Sequence, residues 1–517
     1  MTRSAEVRTP HPVDEIPPAR KIIPFGLQHV LVMSAAPISS VFLVGASLQL
    51  DPDLIVQLLS ITFVFSGIGS IIQSMGRWGF GVRLPFMMLP GGAPVVMFIA
   101  IASEHGPATA TGAVLLTAVF YFIVLPVFSR IIKFFPSLVI GTMIVIVGVN
   151  LIRINALLIT GQPDSDAFGD PMAIGLGVMT IVLIVLLFRV LRGMVRQLAV
   201  MIGLVTATGI AALLGQVDVP DLSGPVATVP ELFPFGRPEF DLLASVPLLI
   251  FALASMAEAT GQTAINAEIV GKKIDITKAA PRTIRADALV SLFAGMFGTS
   301  LMVTSGENIG IVRVSNVKSR FVTAAAGVIL IVIGLITPVA RIIYAIPAPV
   351  VGGTGVVVFA ILTVIGLQML GRSDLGDQRN MLVVAAGLSF GLLPIVVPGA
   401  YSGLESTLGS ILSSGVAMGA LVAVLVNILF NHIGRSRSAD ADEPGASTDD
   451  APDDDAPRGG QADERAHADL PDHDEAPTHA EAEASDPGRS NPRTTAEHDP
   501  RPRTTSRADH DSHGGTP

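Results

Sequence analysis

The sequence predicts an all-α polytopic membrane protein of about fourteen transmembrane segments, built as two inverted repeats of about seven segments each. Three observations predict it. Apolar stretches of near-membrane length recur from residue 24 to residue 430. Basic residues collect in alternate connections between them. Two stretches that cannot run as continuous helix fall at matching places in the two halves.

Composition supports the class. Of 517 residues, 50% are hydrophobic and 15% are charged, and mean hydropathy is +0.61; an average soluble protein carries about 25% charged residues. Much of the acidic charge lies after Arg435, so the net charge of −10 describes a tail more than the body of the chain. No nucleic-acid partner is expected. The absence of cysteine excludes disulfides, thiolate catalysis and thiolate-held metals. Residues 1–20 are polar and proline-rich, with no apolar run before a small-residue cleavage site, so no cleavable signal peptide is read there.

The first repeat, 24–215, holds segments at 24–48, 54–72, 84–102, 111–128, 137–152, 172–188 and 198–214. A polar extracytoplasmic connection, 216–241, leads to the second repeat, 242–432, with segments at 242–259, 286–298, 299–314, 321–340, 349–370, 381–397 and 408–430. Connections after even-numbered segments carry Arg77 and Arg83; Arg130 and Lys133; Arg189, Arg192 and Arg196; Lys272, Lys273, Lys278, Arg282 and Arg285; Lys318 and Arg320; Arg372 and Arg379; and Arg435 and Arg437. Odd-numbered connections carry Asp51, Asp53, Asp164, Asp166, Asp170, Asp218 and Glu231, with Arg153, Arg237 and Arg341 as their few bases. Positive charge stays on the cytoplasmic side of a cell's inner (plasma) membrane. Both termini, including the N-terminal segment 1–23, are therefore expected in the cytoplasm. Residues 433–517 are acidic and nearly free of large apolar side chains, the composition of a disordered tail. The irregularly spaced His467, His473, His479, His498, His510 and His513 leave a weak metal or partner site there as the alternative.

The third segment of the first half contains Pro85, Pro90, Gly91, Gly92 and Pro94, which a helix interior does not accommodate. The third segment of the second half begins with the strand-tolerant run from Thr299 and turns polar at Ser305, Gly306, Glu307 and Asn308. Each reads as an extended stretch followed by a half-helix. The two half-helix N-termini are expected to meet near the midplane, where free N–H groups suit carbonyl-bearing or anionic ligands. Kinked membrane helices are the plainer explanation for one such segment; two in corresponding positions point to a binding site.

An acid within a membrane segment costs on the order of 2.5–3.5 kcal/mol to insert and usually has a role. Glu258 and Glu307 qualify. Gln262 lies one turn after Glu258 on the same helix face, and Gln28 and His29 lie early in the first segment. A carboxylate pair matches the N–H edge of a uracil or xanthine ring, and a buried carboxyl can take up a proton and couple transport to it. Glu258, His29 and Gln262 are the candidates for that coupling. Structural roles compete at each position: an ion pair or bundle hydrogen bond for Glu258, a helix cap for Glu307, a packing hydrogen bond for His29. Gln28 fits either role, and Asn308 reads as a tie between the half-helix and its neighbour.

These residues resemble the nucleobase–ascorbate transporter family, the xanthine/uracil permeases. Gln28-His29 is similar to the family's Gln-His pair in the first helix. The stretch from Gly81 through Arg83 and Pro85 to Met88 is similar to its lead into the broken third helix. Glu258 with Gly261 resembles the eighth-helix glutamate motif. Glu307, Asn308 and Gly310, continuing to Lys318 and Arg320, resemble the tenth-helix signature. The resemblance implies a homodimer, a core domain of segments 1–4 and 8–11, a gate domain of segments 5–7 and 12–14, and elevator-like movement between them. It implies that Glu258 and Glu307 bind the base, that backbone at Gly91, Gly92 and Gly306 completes the site, and that a cation, a proton by first choice, is carried along. Gly310 and Asn308 then shape the site. The chain departs from the family pattern at Ser315, Asn316, Gln262 and Gly92, which leaves the base and the coupling ion open.

An anion carrier of the same architecture is the alternative, disfavoured by two acids in the site. An intramembrane enzyme lacks any supporting motif: the chain has no His-Glu-x-x-His, no Gly-x-Gly-x-x-Gly and no P-loop. A channel is the further alternative, but no ring of charged pore residues can be read and the paired broken helices fit alternating access better.

Overall fold

Proline and aspartate open the helices of this chain. Proline occupies the first turn of helices starting at Pro52, Pro107 and Pro171, where its missing N–H is no loss. Asp170, Asp241, Asp275 and Asp377 accept first-turn N–H groups as N-caps. The computed structural model describes residues 11–131, 134–163, 168–193, 195–218, 226, 230–401, 403–404, 412 and 414–433. Lys133, Asp164, Asp166, Arg435, Arg437, the start of the last segment at 408 and the tail histidines lie outside the described residues. Residues 434–517 lie outside them too.

In chain order the helices of the first half are α1 (Ala19–Met33), α2 (Ala35–Leu48), α3 (Pro52–Met75), α4 (Gly92–His105), α5 (Pro107–Val124), α6 (Ser137–Thr160), α7 (Pro171–Val190) and α8 (Ala199–Leu213), with strand β1 (Met87–Pro90) before α4. The second half has α9 (Leu242–Val270), α10 (Ile276–Gly295), β2 (Met302–Ser305), α11 (Glu307–Ser315), α12 (Arg320–Leu335), α13 (Thr337–Tyr344), α14 (Ala348–Gly371), α15 (Gln378–Val396) and α16 (Gly415–Ile428). In each half the third segment is a strand followed by a short helix.

Among the described residues, ten helices or helix runs are long and apolar enough to cross a membrane, and the pair α12–α13, bent by 82°, makes up to eleven. The other expected segments are the two strand-plus-half-helix elements and α10, whose Lys278, Arg282, Arg285 and Asp287 lower its hydropathy. Several boundaries differ from expectation. Helix α10 begins at Ile276 rather than at 286, so Lys278, Arg282 and Arg285 are helical residues and not loop. Helix α1 begins at Ala19 and accommodates Pro24 inside it. The segment expected at 321–340 breaks at Ile336, just before Pro338.

The helices sort into two packing groups. In one, α12 packs along α3, α1 against α12, and α5 against α9 and α10; in the other, α14 packs along α6 and α7, and α15 against α16. Small residues let the paired helices approach. A Cβ on Gly67 would run into the Gly327 carbonyl, and one on Gly334 into the Ser60 carbonyl, so backbone touches backbone along α3 and α12.

Strands β1 and β2 pair antiparallel inside the first group, with Met87 opposite Ser305 and Pro90 opposite Met302. Gly91 N–H extends the ladder to the Leu301 carbonyl at 3.0 Å. A serine anchors each strand. Ser70 of α3 accepts from Met88 N–H at 3.0 Å, and Ser291 of α10 accepts from Met302 N–H at 2.9 Å. The extended stretches thus pass one another before turning helical. The two half-helix N-termini therefore flank a ladder about 10 Å long at its opposite ends, instead of meeting as expected.

Candidate functional site

Helix α11 starts immediately after the ladder. Gly306 precedes it, Glu307 is its first residue, and Glu307 N–H donates to Ser305 Oγ at 3.2 Å. Helix α9 runs past this start and presents Glu258 and Gln262 to it. Gln262 Nε2 donates to Glu258 Oε1 at 2.8 Å. The Gln262 side chain lies so close to Gly306 that a Cβ there would come within 3.0 Å of Nε2. Glycine at 306 leaves the room in which the Gln262 side chain of α9 lies against the start of α11.

Glu258, Gln262, Gly306 and Glu307 thus form one cluster. Glu307 is exposed and Glu258 half-buried as whole residues. The two acids act on each other electrostatically. Among the described residues no ion pair involves either. Gln262 Oε1 is buried and has no hydrogen-bond partner among the described residues, which leaves an acceptor next to the two acids.

A third acid lies behind them. Asp287, on α10, is 2% exposed. Its Oδ1 accepts from Thr304 Oγ1 of β2 at 2.6 Å and from Gln73 Nε2 of α3 at 3.0 Å. Gln73 also donates to the Thr283 carbonyl and to Thr304 Oγ1. This knot ties α3, α10 and β2, and Asp287 feels the charge of Glu258. Sequence reasoning missed Asp287 because the segment was read from 286, which put the acid at its edge. The α10 cap at Asp275, a residue before a helical run, is the signal that could have moved the boundary.

The remaining predicted residues are placed differently. Asn308 Nδ2 donates to the Pro85 carbonyl at 2.8 Å, and Asn266 Nδ2 of α9 donates to the same carbonyl at 3.0 Å, so α9 and α11 both hold the lead into β1. Gly310 is exposed, with open space where a Cβ would stand. Gly91 and Gly92 lie at the other end of the ladder from Gly306. A Cβ on Gly91 would touch Val303 of β2, and one on Gly92 would touch Leu151 of α6 and Phe359 of α14. The start of α4 therefore abuts the second helix group. Gln28 is engaged elsewhere: its Nε2 donates to Gln197 Oε1 at 2.8 Å, on the turn before α8. His29 is 2% exposed, and its Nδ1 has no partner among the described residues.

A cavity of about 550 Å³ lies away from this cluster, lined by Phe42, Asp53, Gln216, Arg341 and Tyr344 among others. Among the described residues no group of His, Asp and Glu has metal-site geometry.

Comparison with known proteins places the chain in a family. A model described as a permease family, for xanthine and uracil permeases, matches residues 20–400. The uric acid permease PucK of Bacillus subtilis (strain 168) is 33% identical over 389 residues, covering 75% of this chain and 90% of the relative. The xanthine permease of the same organism is 30% identical over 388 residues, covering 74% and 88%. The uracil permease of Escherichia coli (strain K12) is 25% identical over 395 residues, covering 74% and 86%. Among solved structures, the transmembrane domain of the cyanobacterial bicarbonate transporter BicA aligns with TM-score 0.50 at 14% identity, covering 80% of this chain and 99% of that one. The murine anion transporter Slc26a9 in its inward-facing state aligns with TM-score 0.52 at 13% identity, covering 80% and 69%. At such identity these two speak for the fold alone.

Proposed function

The chain belongs to the xanthine/uracil permease family, and from that premise we propose that it is a nucleobase carrier of the xanthine, urate or uracil type that moves its cargo together with a cation, the proton first among them. The observation that carries the reading is the convergence of Glu258, Gln262 and Glu307 at the glycine-started helix α11. Two carboxylates accept from ring N–H groups, while Gln262 Oε1 offers a further acceptor and the positive end of the α11 dipole favours ring carbonyls. Clustered carboxyls without a counter-cation are also where a proton is taken up with the cargo. The bicarbonate and anion carriers that share the fold suggest an anion as the second cargo class, but the acids at this site would repel it.

The cycle is an elevator in this reading. Helices α1–α5 and α9–α13 move as the core against the gate of α6–α8 and α14–α16. The Gln28–Gln197 bond and the contact of Gly92 with Leu151 and Phe359 join the two groups and must break or slide when the core moves. The chain crosses the inner membrane about fourteen times as a homodimer, with both termini cytoplasmic. Uptake of labelled xanthine in cells expressing the full chain, with urate, uracil, guanine or bicarbonate in excess, tests the cargo. Saturable uptake blocked by bases and not by bicarbonate supports the proposal; uptake of no base and competition by bicarbonate would replace it with anion transport.

A further inference from the structure

The described chain begins with a strap that the substrate-site argument does not use. Residues His11–Glu15 precede α1, with a single 3-10 turn at Pro12–Asp14. Proline at 12 suits the turn's start, and His11 Nδ1 accepts from Val13 N–H at 3.3 Å. Polar and proline-rich, the strap would be expected to lie free in solvent. Instead Val13 is fully buried, at 0% exposure, in a cluster with Val82, Leu84, Phe86, Val270, Ile309 and Val312.

Two of those neighbours, Ile309 and Val312, belong to α11. Leu84 and Phe86 lead into β1, and Val270 ends α9. The strap's one aliphatic side chain thus shares a buried cluster with side chains of the three elements that build the site around Glu307.

Polar contacts fasten it on both sides. Asp14 Oδ2 accepts from Lys272 Nζ at 2.9 Å, just past α9. Asp14 Oδ1 accepts from Arg320 Nε at 2.8 Å, at the start of α12. Arg320 is itself buried and donates from Nη1 to the Ser74 carbonyl at 3.0 Å, at the end of α3. Ser319 Oγ donates to the Glu15 carbonyl at 2.7 Å, and His11 Nε2 lies 3.1 Å from the Gly271 carbonyl. The turn leaving α9 and the segment leaving α11 are thus both bound to one short piece of chain.

Helix α11 has nine residues, too few to hold its place by its own hydrogen bonds. Its position depends on what packs beneath it. We infer that the strap His11–Glu15 is a positioning element for the substrate site, with Val13 wedged under α11 and Asp14 clasping the ends of α9 and α12, so that Glu307 is held at its working distance from Glu258. This rests on the reading of Glu307 as a cargo ligand.

The test uses the full chain in cells without their own base uptake. Val13→Ala, Asp14→Asn and the conservative Asp14→Glu are each measured for membrane level, for KM and Vmax of xanthine uptake, and for maleimide labelling of a Gly310→Cys reporter. The chain has no native cysteine, and Gly310 is exposed on α11 with room for the new side chain, so labelling reads the placement of that helix whatever the cargo. The inference predicts that Val13→Ala and Asp14→Asn raise KM about tenfold or more with Vmax per molecule little changed, alter the labelling rate, and that Asp14→Glu restores both. Unchanged KM and unchanged labelling, with the variants in the membrane, would overturn it. Altered labelling in a protein whose native form takes up no base would keep the strap's role and refute the cargo instead. If Asp14→Asn does not reach the membrane, Val13→Ala, which removes only two methyl groups, decides by the same two readouts.

Discussion

Gln262 Nε2 donates to Glu258 Oε1 across 2.8 Å while its side chain rests against Gly306, so one amide joins an acid of α9 to the first turn of the helix that carries Glu307. The spacing of four residues puts donor and acceptor on one helix face, and the missing side chain at 306 leaves room for Gln262 against the start of α11. The relationship predicts which substitutions disturb binding and which disturb folding.

Gly306→Ala places a methyl 3.0–3.3 Å from the Gln262 side chain. The amide is the flexible partner and gives way, loosening its bond to Glu258. The expected result is a KM for base uptake raised severalfold with normal protein in the membrane. Gln262→Ala is expected to reproduce it, and Gln262→Glu to exceed it by setting a third acid beside Glu258 and Glu307.

Thr304→Val removes the hydroxyl that donates to Asp287 Oδ1 at 2.6 Å and leaves a buried acid short of a partner. A cost of about 1–3 kcal/mol follows, read as a lower unfolding temperature of the detergent-purified protein. Asp287→Asn keeps the shape but sets an amide among the donors of Gln73 and Thr304, and is expected to destabilise as well. Neither change touches Glu258 directly, so the loss of stability should exceed the loss of affinity in whatever protein folds.

Gly92→Leu drives a side chain into Leu151 and Phe359 where the two helix groups touch, since even a Cβ there would stand 2.6 Å from Leu151 Cδ1. Binding at the far end of the ladder is expected to survive while turnover falls, so that a labelled base still protects or binds but net uptake drops by roughly tenfold or more. Gln28→Ala breaks the bond to Gln197 and is expected to shift the balance between carrier states, visible as a changed ratio of influx to exchange.

Asp14 gives a pH signature. Burial alone raises its carboxyl pKa, and the hydrogen bonds and charges of Lys272 and Arg320 outweigh this and hold it below the usual aspartate value. A lowered folded-state pKa means the stabilisation is complete above the unfolded aspartate value, about 3.9, and is lost as pH falls through the folded value. Asp14→Asn is therefore expected to cost about 1 kcal/mol near neutral pH, since the carboxylate is partly exposed and screened. The difference from the native chain should close below about pH 4, followed by thermal unfolding across that range.

Particular residues show what the sequence revealed and what it hid. The prolines and glycines from Pro85 to Pro94 and the polar turn at Ser305–Asn308 announced two broken segments, because Pro and Gly act locally. The spacing of Glu258 and Gln262 announced a shared face for the same reason. Hidden were relationships set by distant chain. The Gln28–Gln197 bond spans 169 residues. The strand register, which separates the two half-helix starts, depends on serines from two other helices. Asp287 was hidden by charge: three basic residues in the first turns of α10 made a helix read as a loop. Val13 was hidden among prolines, where one buried aliphatic leaves no periodicity to detect.

The measurement that bears most directly on the account is competition uptake of labelled xanthine by cells expressing the full chain, with Glu258→Gln alongside. The account predicts saturable uptake, inhibited by one or two of urate, uracil and guanine, and lost in Glu258→Gln while the protein stays in the membrane. Uptake that persists undiminished in Glu258→Gln, or no uptake of any base by a native protein present in the membrane, would contradict it.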